Sequence, residues 1–127
     1  MPMQPPVAAP AATPLVIQAL NRGLGARVSI EKPSAPTDSF VVVSRIGGDP
    51  ETFATANPRY LVECYAPDYL EAEQFAEDAA HAWRTMRSHN ARLGHSYTDR
   101  IVHFDDPDER FVRFQFTAGV SILLNHA

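Results

Sequence analysis

The chain has 127 residues, 45% of them hydrophobic and 20% charged, with a formal net charge of −4. These proportions belong to one globular domain that buries a core without metal or disulfide, and the length is too short for two ordinary domains. The acidic balance argues against a protein that grips DNA by its phosphates, since that affinity comes from clustered lysine and arginine; it suits a surface that DNA passes without sticking.

The segment 1–13 carries prolines at positions 2, 5, 6 and 10 and lacks the basic start and continuous apolar stretch of a signal peptide. It reads as an extended, flexible, Pro-rich leader expected to be disordered, and residues 14–127 as a single domain. Thr13 is a good N-cap and Pro14 suits the first helical position. Val16, Ala19, Leu20 and Leu24 then recur at helical spacing, with Gly23 or Gly25 to end the helix.

Val28 and Ile30 alternate with polar residues in "ARVSIE", a half-buried strand. After Pro33 and Pro36, "FVVVSRI" (40–46) and "RYLVECYA" (59–66) are two further strands. Between them lies a long loop in which Gly47 and Gly48 are expected to end the first strand sharply and throw "DPETFATAN" outward.

Asp68 and Glu71 have capping-box spacing and open a helix expected over 68–90. Its apolar stripe is Ala72, Phe75, Ala76, Ala79, Trp83 and Met86. Its outer face is acidic early and basic late, matching the helix dipole. A polar stretch ending near Gly94 leads to "RIVHF" (100–104) as a fourth strand, and "DDPDE" (105–109) reads as a solvated turn.

The final strand has the cleanest pattern. Val112, Phe114, Phe116, Ala118, Val120, Ile122 and Leu124 share one side; Arg113, Gln115, Thr117, Gly119 and Ser121 share the other. Such alternation means one face on a core and one accessible. Its length also implies an edge in need of covering by another subunit. The order α-β-β-β-α-β-β gives an α+β fold, a mainly antiparallel sheet of about five strands with two helices on one face.

The usual catalytic signatures are missing. There is no Walker-type phosphate loop, and Gly23-Leu24-Gly25 has Val28 where a dinucleotide fingerprint requires its third glycine. HExxH and GxSxG are absent, and the single cysteine, Cys64, rules out both cysteine-cluster zinc and an internal disulfide. Cys64 reads as a core thiol of a protein from a reducing compartment. No apolar run approaches the roughly 20 residues that span a bilayer, so no membrane partner is expected. His81 and His89 stand two helical turns apart, while His95, His103 and His126 fall in separate elements. Asp105, Asp106, Asp108 and Glu109 lack calcium-loop spacing. No cofactor, metal or catalytic residue is assigned.

The stretch "VVVSRIGGDPETFATANPRYLVECYAPDYLEAEQFAEDAAHAWRTM" (41–86), together with the closing "RFVRFQFTAGVSILL", resembles the tail terminator proteins of long-tailed bacteriophages, particularly those infecting actinobacteria. The resemblance covers roughly residues 14–124. It implies a non-enzymatic virion protein, assembled in the host cytoplasm. Its subunits form a ring, usually hexameric, that caps the tail tube, stops tube polymerisation and joins the head connector, with DNA passing through the lumen.

On that basis Arg45, Asp49, Glu51, Phe53 and Arg59, in the loop and at its roots, are expected to contact a neighbouring subunit or the tube. Acidic Glu71, Glu73 and Glu77 are expected to face Arg113 or Arg45 of the next subunit, in a heterologous contact that closes by rotation. The bland alternative is a surface loop with Phe53 tucked onto its own domain. Two rivals stay open: another neck or head-completion adaptor, and a small dimeric ligand-binding domain or enzyme with His103 and the 105–109 acids beside a cleft.

Overall fold

The computed structural model describes residues 11–49, 51–52, 54–104 and 110–124. The first helix, α1 (Ala12–Leu24), starts one residue ahead of Thr13, and its N-cap Ala11 makes no side-chain hydrogen bond. Thr13 is not the cap because its hydroxyl lies 3.1 Å from that of Tyr60, tying the helix to the sheet. Pro14 still falls in the first turn, where a missing N–H costs nothing. Gly25 ends the helix in the left-handed conformation, φ 67°, with its N–H on the Asn21 carbonyl.

A single sheet follows: β1 (Arg27–Ser29), β2 (Phe40–Asp49), β3 (Thr55–Ala66), β4 (Leu93–Thr98), β5 (Val102–His103) and β6 (Val112–Leu123). The strand order is β1-β2-β3-β6-β4, and β5 also pairs with β6. The β1–β2 pairing is parallel and all others are antiparallel. The fold is α+β as expected, with three strands rather than two after the second helix.

That helix, α2, spans Tyr69–Arg84. Asp68 caps it, its carboxylate accepting the Glu71 N–H at 2.9 Å. It stops short of the expected 90: Thr85 makes the last i→i−4 bond, its N–H on the His81 carbonyl at 3.1 Å, but leaves helical dihedrals at φ −111° and ψ 13°. A short 3-10 turn, Met86–Ser88, follows.

Both helices cover one face of the sheet. Val16 and Leu20 of α1, Ala76, Ala79 and Trp83 of α2, and Val43, Val62, Phe116 and Ala118 of the strands form one buried core. Trp83 is fully buried. Its indole N–H donates to the Gly119 carbonyl at 2.9 Å, and its ring meets Tyr60 edge-on at 5.6 Å. One polar atom of a large apolar side chain is thereby satisfied inside the core.

Two strand expectations are corrected. "RIVHF" contributes only Val102–His103, because β4 already occupies the same edge of β6 opposite residues 118–122, leaving Gln115 and Phe114 to β5. The missed strand β4 starts where the polar stretch ends, near Gly94, and runs on toward "RIVHF". Only Leu93 within it is buried, and Ser96 anchors it through a hydrogen bond to the Trp83 carbonyl at 2.9 Å.

The second correction concerns the long loop, which is mostly sheet. β2 continues through the glycines to Asp49, and β3 begins at Thr55. The register slips by one residue between Arg45 and Gly47, a bulge at Ile46. Gly48, at φ 151°, lies opposite Pro58, and a Cβ there would stand 2.4 Å from the Asn57 carbonyl oxygen. The glycine is therefore needed to let two backbones approach, and it does not end the strand.

Candidate assembly surface

The alternation of β3 and β6 places a second set of side chains on the face opposite the helices. By register these are Asn57, Arg59, Leu61, Glu63 and Tyr65 of β3, against Ser121, Gly119, Thr117, Gln115 and Arg113 of β6. Among the described residues no helix packs over this face, and most of these side chains are half-buried by one another.

Its polar groups are paired locally. Arg59 Nη2 meets Asp99 Oδ2 at 3.0 Å, and the Thr117 hydroxyl donates to the same carboxylate oxygen. The Ser121 hydroxyl donates to Asn57 Oδ1 at 2.9 Å, where Pro58 interrupts the ladder between β3 and β6. At the other end Arg113 Nη1 pairs with Glu63 Oε2 at 2.9 Å, each side chain only 15% exposed.

The Arg113 guanidinium also lies 4.9 Å from the Phe104 ring centre and 5.9 Å from that of Tyr65. Burial raises the Tyr65 pKa, opposed by its hydrogen bond to Arg113. Below them Phe40, Val42, Tyr65 and Phe111 make a small second apolar cluster, with Phe40 and Tyr65 stacked at 4.6 Å.

Apolar side chains stay exposed around this neutralised centre: Tyr97 beside Gly119, Val102 beside Gln115, Phe104 over Arg113, and Leu123 opposite Thr55. Paired charges inside a ring of exposed apolar groups have the character of a surface another protein covers.

The residues singled out in the sequence are distributed unequally about this face. Arg59 and Arg113 share it. Arg45 is exposed and pairs in register with Tyr60, which places it on the helix side. Tyr60 itself is buried, which raises its pKa; the Thr13 hydrogen bond and the Arg45 charge pull the other way.

Asp49 ends β2 opposite Asn57, and Glu51 is exposed in the turn that follows. Phe53 lies outside the described residues. The turn is laced to the sheet: the Thr55 N–H donates to the Thr52 hydroxyl at 2.9 Å, and the Leu124 N–H to the Ala54 carbonyl at 2.9 Å. The outward arm is thus the end of a hairpin whose β3 strand remains paired to β6 as far as Thr55.

Glu71, Glu73 and Glu77 are exposed on α2, across the sheet from Arg113, whose partner within the chain is Glu63. Sequence reasoning missed Glu63, Asp99 and Thr117. The accessible side of the last strand was the available signal for Thr117; the partners from β3 and from the residue after β4 required the fold.

In the alternative centred on His103, that residue is exposed at the end of β5. The imidazole packs against Tyr69 and Phe114, each ring centre 5.1 Å away, and the acids 105–109 lie outside the described residues. No group of three or more metal-ligating side chains occurs among the described residues. Cys64 is fully buried, and that burial pushes its thiol pKa far up, so it is a core group rather than a nucleophile. No described helix is long and apolar enough to cross a membrane.

No family model matches the chain, and no curated protein matches it either. It is similar in fold to a chain in the solved structure of the "virion of native gene transfer agent (GTA) particle", with a TM-score of 0.56 and 14% sequence identity. The likeness covers 83% of this chain and 84% of that one.

Proposed function

We propose that the chain is a non-enzymatic structural subunit of a phage-type virion, and within the virion a tail terminator. Its copies form a hexameric ring that caps the tail tube, stops tube growth and offers the surface for head joining, with DNA passing through the lumen. The observation that carries this reading is the fold shared over 83% of this chain and 84% of the other with a chain of a virion particle.

Two features of the chain support it. Among the described residues the sheet has a broad face without a covering layer, its charges neutralised in pairs and its rim apolar, as a stable protein contact needs. The acidic net charge suits a lumen that DNA must slide through. Arg59, on the uncovered face, and Arg45, beside the hairpin, are the residues proposed to meet the neighbouring subunit or the tube. A closed ring requires two different patches on each subunit, and the hairpin and the uncovered face are two such patches.

Electron microscopy of the purified protein mixed with tail tubes tests this. The expected result is a sixfold ring at one tube end and arrested tube growth. Tubes that keep growing with no density at their ends would sink the proposal. A folded Arg45→Glu chain that still caps tubes normally would remove the hairpin from the contact.

A further inference from the structure

The helix layer is divided by charge. The first part of α2 carries Glu71, Glu73, Glu77 and Asp78, all exposed, and no cation. Residues 79–98 then hold Arg84, Arg87, Arg92 and the histidines 81, 89 and 95, without one carboxylate. The end of α1 joins them. A Cβ on Gly23 would stand 3.4 Å from His89 Nε2, which sets the adjoining Arg22 at the same end of the molecule. Arg22, Arg84 and Arg87 are exposed and Arg92 is half-buried.

Neither patch is neutralised within the chain. Among the described residues, Arg22, Arg84, Arg87 and Arg92 make no ion pair, and neither do the four acids of α2. Arg84 Nη1 donates instead to the Thr98 hydroxyl at 2.7 Å, and Arg92 Nη2 to the Leu123 carbonyl at 3.4 Å. The helix dipole accounts for Glu71, Arg22 and Arg84, each in a terminal turn. It does not account for Glu77 and Asp78 in mid-helix, or for Arg87 and Arg92 beyond the helix end. Glu73 and Glu77 even stand one turn apart, a repulsion that works against the helix.

We infer that the basic end of one copy, Arg22 with Arg84, Arg87 and Arg92, docks head to tail on the acidic half of α2 in a second copy. The inference rests on the ring reading for the arrangement of the copies, and not for what the ring caps. The two patches lie toward opposite ends of a helix about 24 Å long, which holds them apart within one copy. Contact between unlike patches is the kind that repeats around a ring and closes. Arg113, the cation expected for these acids, is held by Glu63 on the other face of the sheet, and the basic end takes its place. The contact lies in the helix layer and leaves the uncovered sheet face to the contact proposed above. Duplex DNA fits the basic end less well, because it leaves the acids of α2 unanswered and meets a chain of net charge −4.

Charge exchange tests this. Arg22→Glu with Arg87→Glu cancels the net charge of the four-arginine end, and Glu73→Arg with Glu77→Arg does the same for the acidic half. All four side chains are exposed, and none makes a hydrogen bond described above. Sedimentation equilibrium is the readout. The wild-type chain is expected to self-associate at low salt, its association constant falling at least about tenfold between about 0.02 and 0.3 M salt. Each double variant alone is expected to associate at least about tenfold more weakly. An equal mixture of the two is expected to recover near wild-type strength, because it restores the native contact between the basic end of one variant and the acids of the other. A wild type that stays monomeric at low salt, association indifferent to salt, or a mixture as weak as its components overturns the inference. So does short duplex DNA retained by the wild type in place of self-association and released by Arg22→Glu with Arg87→Glu. Tail tubes left uncapped by a wild type that self-associates in this way would sink the tail terminator reading and leave this contact standing.

Discussion

On the face that the helices cover, β3 and β6 present Tyr60, Val62, Cys64, Phe116 and Ala118, each buried to within about one per cent. One residue along the same strands, Arg59, Leu61, Glu63, Gln115 and Thr117 are half-buried and polar for the most part. Neighbouring positions of the same backbone thus meet opposite demands. The covered side is held by close packing, where every methylene removed leaves a void. The other side is held by short polar pairings whose net contribution is small, so it can change partners at little cost.

The largest effect that sharpens this contrast is Trp83→Ala. It empties the centre of the covered side and orphans the Gly119 carbonyl, and is expected to cost about 3–5 kcal/mol in urea unfolding. If the loss is under 1 kcal/mol, the covered face is not the stabilising one.

Gly48→Ala comes next, expected at about 1–3 kcal/mol, because φ 151° and the Asn57 carbonyl both oppose a Cβ. Its chemical shift changes should be confined to the β2–β3 hairpin. Arg113→Ala takes the cation from half-buried Glu63, leaving it the Tyr65 hydroxyl at 3.1 Å, and is expected to cost about 1–2 kcal/mol, more than Arg113→Lys. Arg59→Ala removes an exposed pair and is expected to change stability by only about 0–1 kcal/mol while weakening assembly onto tubes. Were it to destabilise as much as Trp83→Ala, the two faces would not differ in kind.

The smallest effect appears only in alkali. Tyr60 and Tyr65 lie on opposite faces and both have raised folded pKa values, chiefly from burial. The folded state therefore holds these protons more tightly than the unfolded chain does. Their contribution is intact below the unfolded tyrosine pKa of about 10 and declines as pH rises through the folded values. Urea midpoints measured from pH 8 upward should stay level and then fall. Tyr60→Phe should make that fall shallower, at the loss of the Thr13 contact.

Elements whose chemistry is local were legible in the sequence. Asp68 followed by Glu71 marked the start of α2, because an N-cap needs only a carboxylate and a backbone donor three residues away. The two-residue period of residues 112–122 marked β6 and its two sides, since side-chain direction alternates by geometry alone. Cys64, legible as a core thiol, is buried, and the same alternation puts Tyr60 and Val62 beside it on the covered side.

Tertiary structure decided what depends on a partner elsewhere. Gly47 and Gly48 have the composition of a strand terminator, but Pro58 stands opposite Gly48, where only a glycine admits the facing backbone. Strand β4 has little alternation of its own and exists because β6 presents an open edge and Trp83 a carbonyl. "RIVHF" has the better strand composition yet keeps only two paired residues, on the part of that edge beyond β4. Thr13 has the chemistry of a cap and spends it on Tyr60, which stands 47 residues away in sequence. Period and capping act within a few residues and are written in the chain. Competition for one strand edge, and the closeness of two backbones, arise only once distant segments have met.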